Sequence, residues 1–176
     1  MNEKTNADDK KVMHLLAGQY LTFRLDGETY GLQLLKVREI IGLMQITKVP
    51  KSPEYIRGVI NLRGTILPVI ELRKKFSLNV AEDTKETCII VVEVKKNDKM
   101  MLMGILVDSV SEVVAISSEN IDDNPTLTEG LKTDYILGMA KLKNNESVFI
   151  LLNIEKVLVD VEVEPETAAN IKGDVE

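Results

Sequence analysis

The chain contains two copies of one sequence pattern, and this repeat constrains its fold more than any other feature. Residues 31–41, GLQLLKVREII, align without a gap on residues 104–114, GILVDSVSEVV. Residues 55–62, YIRGVINL, align on residues 135–142, YILGMAKL, and residues 67–72 align on residues 149–154. Matched segments in the same order predict two related units of roughly 70 residues, each too small to bury a sizeable core alone. The units should therefore pack together and leave a seam between them.

Short aliphatic runs separated by turn signals predict that both units are built from β-strands. Tyr20–Leu25 alternates and then meets Asp26-Gly27, a strong hairpin dipeptide, and Cys88–Val94 is followed by a turn and the returning run Met100–Val107. Strands this short and frequent are typical of barrels or a sandwich, with brief helices such as one near Ile154–Leu158. We expect copies at roughly 19–80 and 86–160 within a domain of residues 19–161, and leave open whether they exchange terminal strands. Residues 1–18 should form a flexible lead and residues 162–176 an acidic, flexible tail.

Arg63 lies inside the aliphatic run YIRGVINLRGTILPVIEL, where a buried, unpaired arginine would be costly. The second copy has an evident surface turn, residues 143–146, at the corresponding place. We therefore predict a tight hairpin turn at residues 62–65, with Gly64 supplying the positive φ that such turns demand. Arg63 should lie at a rim, and Gly58, Asn61 and Gly64 should be structural turn residues that serve backbone geometry.

Composition argues against several classes of function. A net charge of −6, a pI near 5.0 and only 4% aromatic residues disfavour nucleic acid or an anionic membrane as the main partner. One cysteine, Cys88, and one histidine, His14, leave no metal cluster and no catalytic pair, and no phosphate-binding loop is present. We expect a binding module with no catalytic residue, metal or cofactor. A small hydrolase using carboxylates such as Asp108 or Asp122 is the alternative from another class.

The sequence shows no pattern for membrane insertion or secretion, which bears on where the protein is found in the cell. No apolar run approaches the roughly 20 residues that span a bilayer, and the N-terminus has no secretory signal pattern. We expect a cytoplasmic protein without direct membrane insertion.

The residues after Lys36 form a candidate interaction surface. Strand periodicity predicts that Val37 and Glu39 share one face and that Lys36, Arg38 and Ile40 share the other. A face that mixes an aliphatic side chain with a charge suits a partner, although Glu39 would equally protect a strand edge from aggregation. The apolar residues Leu43, Met44 and Ile46 fit an interaction edge and the core about equally well. For Arg63 the simpler interpretation is an exposed turn arginine with a weak surface ion pair.

Residues 49–72 resemble the signature of the CheW family of bacterial chemotaxis coupling proteins. The matching positions are VP at 49–50, Pro53, YI at 55–56, GVINLRG at 58–64, ILPVI at 66–70 and Leu72. Tyr30-Gly31, VREI at 37–40, the GILVD run at 104–108 with Val110, and Tyr135 with Gly138 are also similar, so the resemblance spans roughly residues 18–160.

This resemblance implies a mainly β fold of two SH3-like, five-stranded β-barrels packed on a shared hydrophobic core, with short helices. It implies a non-enzymatic adaptor that couples the cytoplasmic tips of chemoreceptors to the regulatory domain of the histidine kinase CheA. Such a protein is monomeric when free, and it is recruited from the cytoplasm to membrane-associated receptor arrays. The alternatives are the CheW-like regulatory domain of a CheA kinase cut from its longer chain, or a coupler that also carries a receiver module.

The resemblance also implies roles for individual residues. The receptor tip is expected in the groove between the barrels, at Val37, Glu39, Arg63 and Val110. The kinase is expected on barrel surfaces that include Ile41, Leu43, Met44 and Ile46.

Overall fold

The computed structural model describes residues 16–122, 135–141 and 147–161. Most of the predicted lead with His14, the predicted tail and the predicted turn at residues 143–146 lie outside these ranges. Among the described residues, no helix is long and apolar enough to cross a membrane.

The described residues form a mainly β fold, as predicted. The first half of the chain contributes β1 (Gly18–Leu25), β2 (Glu28–Gln33), the 3₁₀ turn η1 (Leu34–Lys36), β3 (Val37–Gly42), β4 (Ile56–Leu62), β5 (Thr65–Glu71) and the short helix α1 (Leu72–Lys75). The second half contributes β6 (Cys88–Lys96), β7 (Lys99–Val107), β8 (Ser109–Ile116), the 3₁₀ turn η2 (Ser118–Asn120), β9 (Ile121–Asp122), β10 (Ile136–Lys141), β11 (Val148–Leu152) and α2 (Ile154–Leu158).

These strands form two sheets, and each sheet contains strands from both halves of the chain. The first sheet has the order β8-β1-β2-β11-β10-β9, and the second has the order β3-β6-β7-β5-β4. The hairpin β1–β2 thus lies between strands of the second half, and the hairpin β6–β7 lies between strands of the first half. The parallel pairs β2–β11 and β5–β7 occupy matching places, with Gly31 opposite Leu151 and Gly104 opposite Val69.

Each sheet curls into a small barrel with its own apolar interior. In the second barrel Thr47, which follows β3, pairs with Val59 of β4 and so joins the two ends of the strand order. The first barrel closes in a similar way. The turn η2 divides its closing strand into β8, which pairs with β1 at one end of the strand order, and β9, which pairs with β10 at the other end. The first interior includes Tyr20 and Phe149, and the second includes Ile60, Leu67, Val69, Ile89, Val91 and Leu106.

A third and larger cluster lies between the barrels and draws on both. It includes Phe23 and Leu32 from the first barrel and Ile90, Val92 and Met103 from the second, with exposure near zero. Burying a large aliphatic or aromatic side chain contributes roughly 1.5–3 kcal/mol, so this shared core is the main attraction between the two barrels. The predicted fold, two SH3-like barrels on a shared core, agrees with this arrangement.

Two of the ion pairs that join the halves have the cation in the first half and the carboxylate in the second. Arg73 of α1 donates from Nε and Nη2 to the two carboxylate oxygens of Asp108, at 2.8 and 2.6 Å, and Asp108 also accepts from the Asp26 N–H at 2.9 Å. At the end of the second half, Glu155 of α2 accepts from Lys36 Nζ at 2.7 Å. The hydrogen bonds from Arg73 lower the pKa of Asp108, and the bond from Lys36 lowers that of Glu155.

Replacing Asp108 with Asn should destabilise the fold by about 1–2 kcal/mol at pH 7, since it removes one charge from a partly buried, bidentate pair. The pKa of Asp108 is lower in the folded chain than its ordinary 3.8, so its stabilisation is present above that value and disappears as pH falls through the folded pKa. Urea unfolding should therefore show the two proteins converging in strongly acidic buffer. Asp98→Asn is the control, because Asp98 is fully exposed and lies 4.0 Å from Lys95. A constant difference between pH 7 and pH 2 would contradict this account.

Candidate partner-binding site

The structure brings together two of the residues expected to bind the receptor. Arg63 donates from Nη2 to both carboxylate oxygens of Glu39, at 2.7 and 2.8 Å. The Arg63 side chain is 72% exposed and that of Glu39 is 29% exposed. Glu39 lies on β3 and Arg63 on the β4–β5 turn, so the pair links the two ends of the strand order in the second barrel.

The turn that carries Arg63 is the predicted tight hairpin. Leu62 pairs with Thr65, and both central residues have positive φ, +50° at Arg63 and +88° at Gly64. The Asn61 side-chain oxygen accepts from the Gly64 N–H at 2.8 Å, which gives Asn61 its role in backbone geometry. A non-glycine residue with this φ costs of order 1 kcal/mol, and this kind of turn prefers Asn or Gly in the Arg63 position.

The prediction that Val37 and Glu39 share a face is wrong. Val37 pairs with Val92 and Glu39 with the adjacent Val91, because a β-bulge interrupts the register between them. Val92 faces the shared core and Val91 faces the second barrel's interior, so Val37 and Glu39 lie on opposite sides of β3. Strand periodicity assumes a regular ladder, and one extra residue reverses every assignment after it.

The bulge places Ile40 on the same side as Val37, since Ile40 pairs with the core-facing Ile90. The second half repeats this arrangement: β8 has its own bulge against β1, and Val110 and Val113 pair with the core-facing Phe23 and Leu21. Val37 and Val110 pack against the shared core, whereas Ile40 and Val113 are 45% and 47% exposed.

We call these four residues (Val37, Ile40, Val110 and Val113) the apolar seam. A backbone hydrogen bond from Val110 reaches Cys88, which pairs with Gly42 at the end of β3, so β8 begins beside the end of β3. Burial raises the pKa of the half-buried Cys88 thiol, although the hydrogen bond from Val110 opposes this shift. Ile40 and Val113 were missed as candidates, although the repeat aligns them, because the bulges leave no mark in the sequence.

The four residues expected to bind the kinase divide into two pairs. Ile41 and Ile46 are half-buried and pack against the interior of the second barrel. Leu43 and Met44 are exposed in the segment that follows β3. The structure therefore leaves Leu43 and Met44 as the apolar side chains that a partner can reach.

The prediction that Gly58 belongs to the turn with Asn61 and Gly64 is wrong. It lies within β4 at a bulge against β5, with φ +151°. A Cβ at this position would lie 2.2 Å from the Thr47 carbonyl oxygen. Glycine is therefore required where the chain after β3 crosses β4 and closes the second barrel.

A cleft of about 340 Å³ lies between the barrels, lined in part by Tyr30, Phe76, Leu78, Tyr135 and Ile150. None of the predicted receptor or kinase residues lines it. The candidate residues thus lie along the strand edges and not in this cleft.

The described residues hold no group of histidine, cysteine and acidic side chains arranged to bind a metal ion. Asp108, a carboxylate considered for a hydrolase, is engaged by Arg73 and by the Asp26 N–H. Its geometry is that of a structural ion pair.

Comparison with known proteins agrees with this architecture. The CheW-like domain family matches residues 19–162. The chain belongs to the CheW-like family. It is 39% identical to the chemotaxis protein CheW of Klebsiella aerogenes over 82% of this chain and 84% of that protein. It is 33% identical to CheW of Helicobacter pylori, over 80% and 81% respectively.

A solved member of the family has the same fold. The scaffolding protein TtCheW of Thermoanaerobacter tengcongensis matches with a TM-score of 0.72 and 33% identity, over 85% of this chain and 98% of that one. Membership makes the chain a chemotaxis coupling scaffold, which confirms the predicted role and disfavours an excised kinase domain.

Gly58→Ala should destabilise the fold by about 2–4 kcal/mol, since it adds a clash with the Thr47 backbone to an unfavourable φ. Gly42→Ala is the matched control, because a Cβ there meets nothing within 4 Å. Thermal and urea unfolding of both variants would check this. Equal stability of the two variants would show that barrel closure does not depend on Gly58.

Proposed function

We propose that the chain is a non-enzymatic adaptor that joins the cytoplasmic tip of a chemoreceptor to the regulatory domain of the kinase CheA. The apolar seam is the observation that carries the receptor half of this proposal. It presents two half-buried and two exposed aliphatic side chains on two edge strands, in positions that the repeat duplicates. An amphipathic helix gains affinity by burying its apolar face against such a surface.

The Arg63–Glu39 pair lies just across β3 from the seam. Because β3 is an edge strand, a helical tip resting on Val37 and Ile40 can pass over the strand and reach the pair. Charges at the rim of an interface set register and exclude wrong partners more than they add affinity. This division gives the seam the role of binding and the pair the role of selection.

For the kinase, the proposal assigns Leu43 and Met44. They follow directly on β3, which also carries the receptor residues Val37 and Ile40. The two partners would therefore be held in a fixed relation by one strand and its continuation. Each contact would be small, below about 1,200 Å² in total, and so reversible. Tight assembly would come from many linked contacts in a receptor array, to which the cytoplasmic, otherwise monomeric chain is recruited.

Ile40→Asp should weaken binding of a receptor tip fragment at least tenfold, since a buried isoleucine contributes roughly 1.5–3 kcal/mol. Binding to the isolated CheA regulatory domain should stay within twofold of the original protein. Val148→Asp is the control, because Val148 is also an aliphatic strand residue and is 44% exposed. Isothermal titration and amide shifts would measure both partners. Undiminished tip binding by Ile40→Asp would refute the seam as the receptor site.

The double change Leu43→Glu and Met44→Glu should weaken binding of the CheA regulatory domain and spare binding of the receptor tip. Both side chains are exposed, so the fold should survive, while two carboxylates at an apolar contact should reduce kinase-domain affinity at least tenfold. Tip binding should stay within twofold. If kinase-domain affinity is unchanged, Leu43 and Met44 do not form the kinase-binding surface.

A further inference from the structure

We propose that the C-terminal segment of the chain, residues 162–176, docks on the outer end of the β6–β7 hairpin, where its glutamates meet two lysines. The inference goes beyond the proposed function and does not depend on it, since both surfaces belong to this chain. It names an occupant for a face of the hairpin that neither the receptor contact nor the kinase contact uses.

The β6–β7 hairpin extends past the strands on either side of it. β6 pairs with β3 no further than Val92, and β7 pairs with β5 only over residues 104–106. β6 and β7 nevertheless pair with each other out to Lys96 and Lys99. In the part of the chain that the structure describes, residues 93–103 therefore have no strand neighbour outside the hairpin itself. A two-stranded ribbon of this kind is only marginally stable unless another element packs on it.

One face of this ribbon changes from apolar to cationic towards its turn. Val94 is buried in the shared core, and strand alternation places Lys96 on the same side. Their cross-strand partners are Met101, which is half-buried, and Lys99, which is exposed. We call Lys96, Lys99 and Met101 the lysine face. It offers an apolar side chain beside two positive charges, so it suits an extended segment in which apolar and acidic residues alternate.

The chain leaves the described structure at this face. Val161, the last described residue, is fully buried in the shared core. Its carbonyl oxygen accepts a hydrogen bond from Lys96 Nζ. Residue 162 therefore begins within reach of the lysine face. A tether this short gives the segment an effective concentration on the order of mM, so that weak contacts are sufficient for docking.

The sequence that follows has the complementary pattern. From Val161 it reads VEVEPE. In an extended chain Val163 lies on the same side as Val161, towards the lysine face, and the glutamates at 162 and 164 lie on the other side. The long lysine side chains can pass along the segment and pair with these carboxylates.

The charge of the whole segment favours the same contact. Residues 162–176 carry five acidic side chains and one lysine, a net charge of −4. The ion pairs that they form at the end of the hairpin are exposed and individually weak. The docked state is therefore reversible and depends on salt concentration.

The test places a nitroxide spin label on the segment in the full-length chain, by Ala168→Cys with Cys88→Ala to remove the native thiol. In low salt, the amide signals of residues 96–101 should lose about half of their intensity or more, relative to the reduced label. They should recover in high salt, because the Debye length falls from about 10 Å at 0.1 M to about 3 Å at 1 M. A mixture of isotope-labelled protein without the nitroxide and nitroxide-labelled protein without the isotope should show no broadening.

Charge variants of the segment identify the groups that hold it. Glu162→Lys with Glu164→Lys should abolish the broadening, whereas Asp174→Lys with Glu176→Lys, the same change of charge further along the segment, should leave it unchanged. With Cys88 retained and no spin label, the first pair of changes should still shift the amide signals of residues 99–101, and the second pair should not. This comparison keeps the test independent of the cysteine replacement.

A charge variant of the hairpin tests the other side of the contact. Lys99→Glu should abolish the broadening, because it places a carboxylate among the glutamates of the segment. Lys85→Glu is the matched control, since Lys85 is also an exposed lysine but lies in the loop between α1 and β6. It should leave the broadening unchanged.

Three outcomes would overturn the inference. Full signal intensity for residues 96–101 in low salt would show that the segment does not reach the hairpin. Broadening that survives both Lys99→Glu and the paired change at residues 162 and 164 would show that these charges do not hold the segment. Broadening in the mixed sample would assign the lysine face to the C-terminal segment of a second copy of the chain.

Discussion

Each barrel is completed by a hairpin that comes from the other half of the chain, and this exchange determines most of the remaining structure. Without β6–β7 the second sheet would lose the strands that separate β3 from β5, and without β1–β2 the first would lose those between β8 and β11. A glycine lies at the equivalent position of both parallel pairs. A Cβ on Gly31 would lie 3.0 Å from Leu151 of the parallel neighbour, and a Cβ on Gly104 would lie 3.4 Å from Val69 of the parallel neighbour and 2.8 Å from Ile89 of β6. The shared core and the ion pairs that join the halves follow from the same exchange.

Features that depend on local sequence were predictable. The repeat indicated paired units, the glycine in the 62–65 turn indicated a tight hairpin, and the alignment with residues 143–146 placed Arg63 at its tip. The turn geometry confirms this, with positive φ at both Arg63 and Gly64. These inferences succeeded because hairpin chemistry is determined by a few adjacent residues.

Features that depend on tertiary register were not predictable. A bulge depends on how two strands pair, and the sequence of β3 alone gives no reason to expect one between Val37 and Glu39. The clash that requires Gly58 involves Thr47, a residue that only barrel closure brings near. Likewise, the exposure of Leu43 and the partial burial of Ile46 depend on how the chain after β3 crosses the barrel, so composition could not separate them.

The bulges also explain how one short strand can serve two kinds of contact. In a regular strand, the side chains of Val37 and Glu39 would lie on the same face, and an apolar contact there would have to desolvate the Glu39 carboxylate. The extra residue moves Glu39 to the far side of β3 and leaves Val37 and Ile40 together on the near side. Aliphatic surface on one side of β3 can then be buried while the Arg63–Glu39 pair on the other side remains hydrated. Because the second half repeats the bulge at β8, the seam has an aliphatic pair on each strand, and the Arg63–Glu39 pair lies beside the pair on β3.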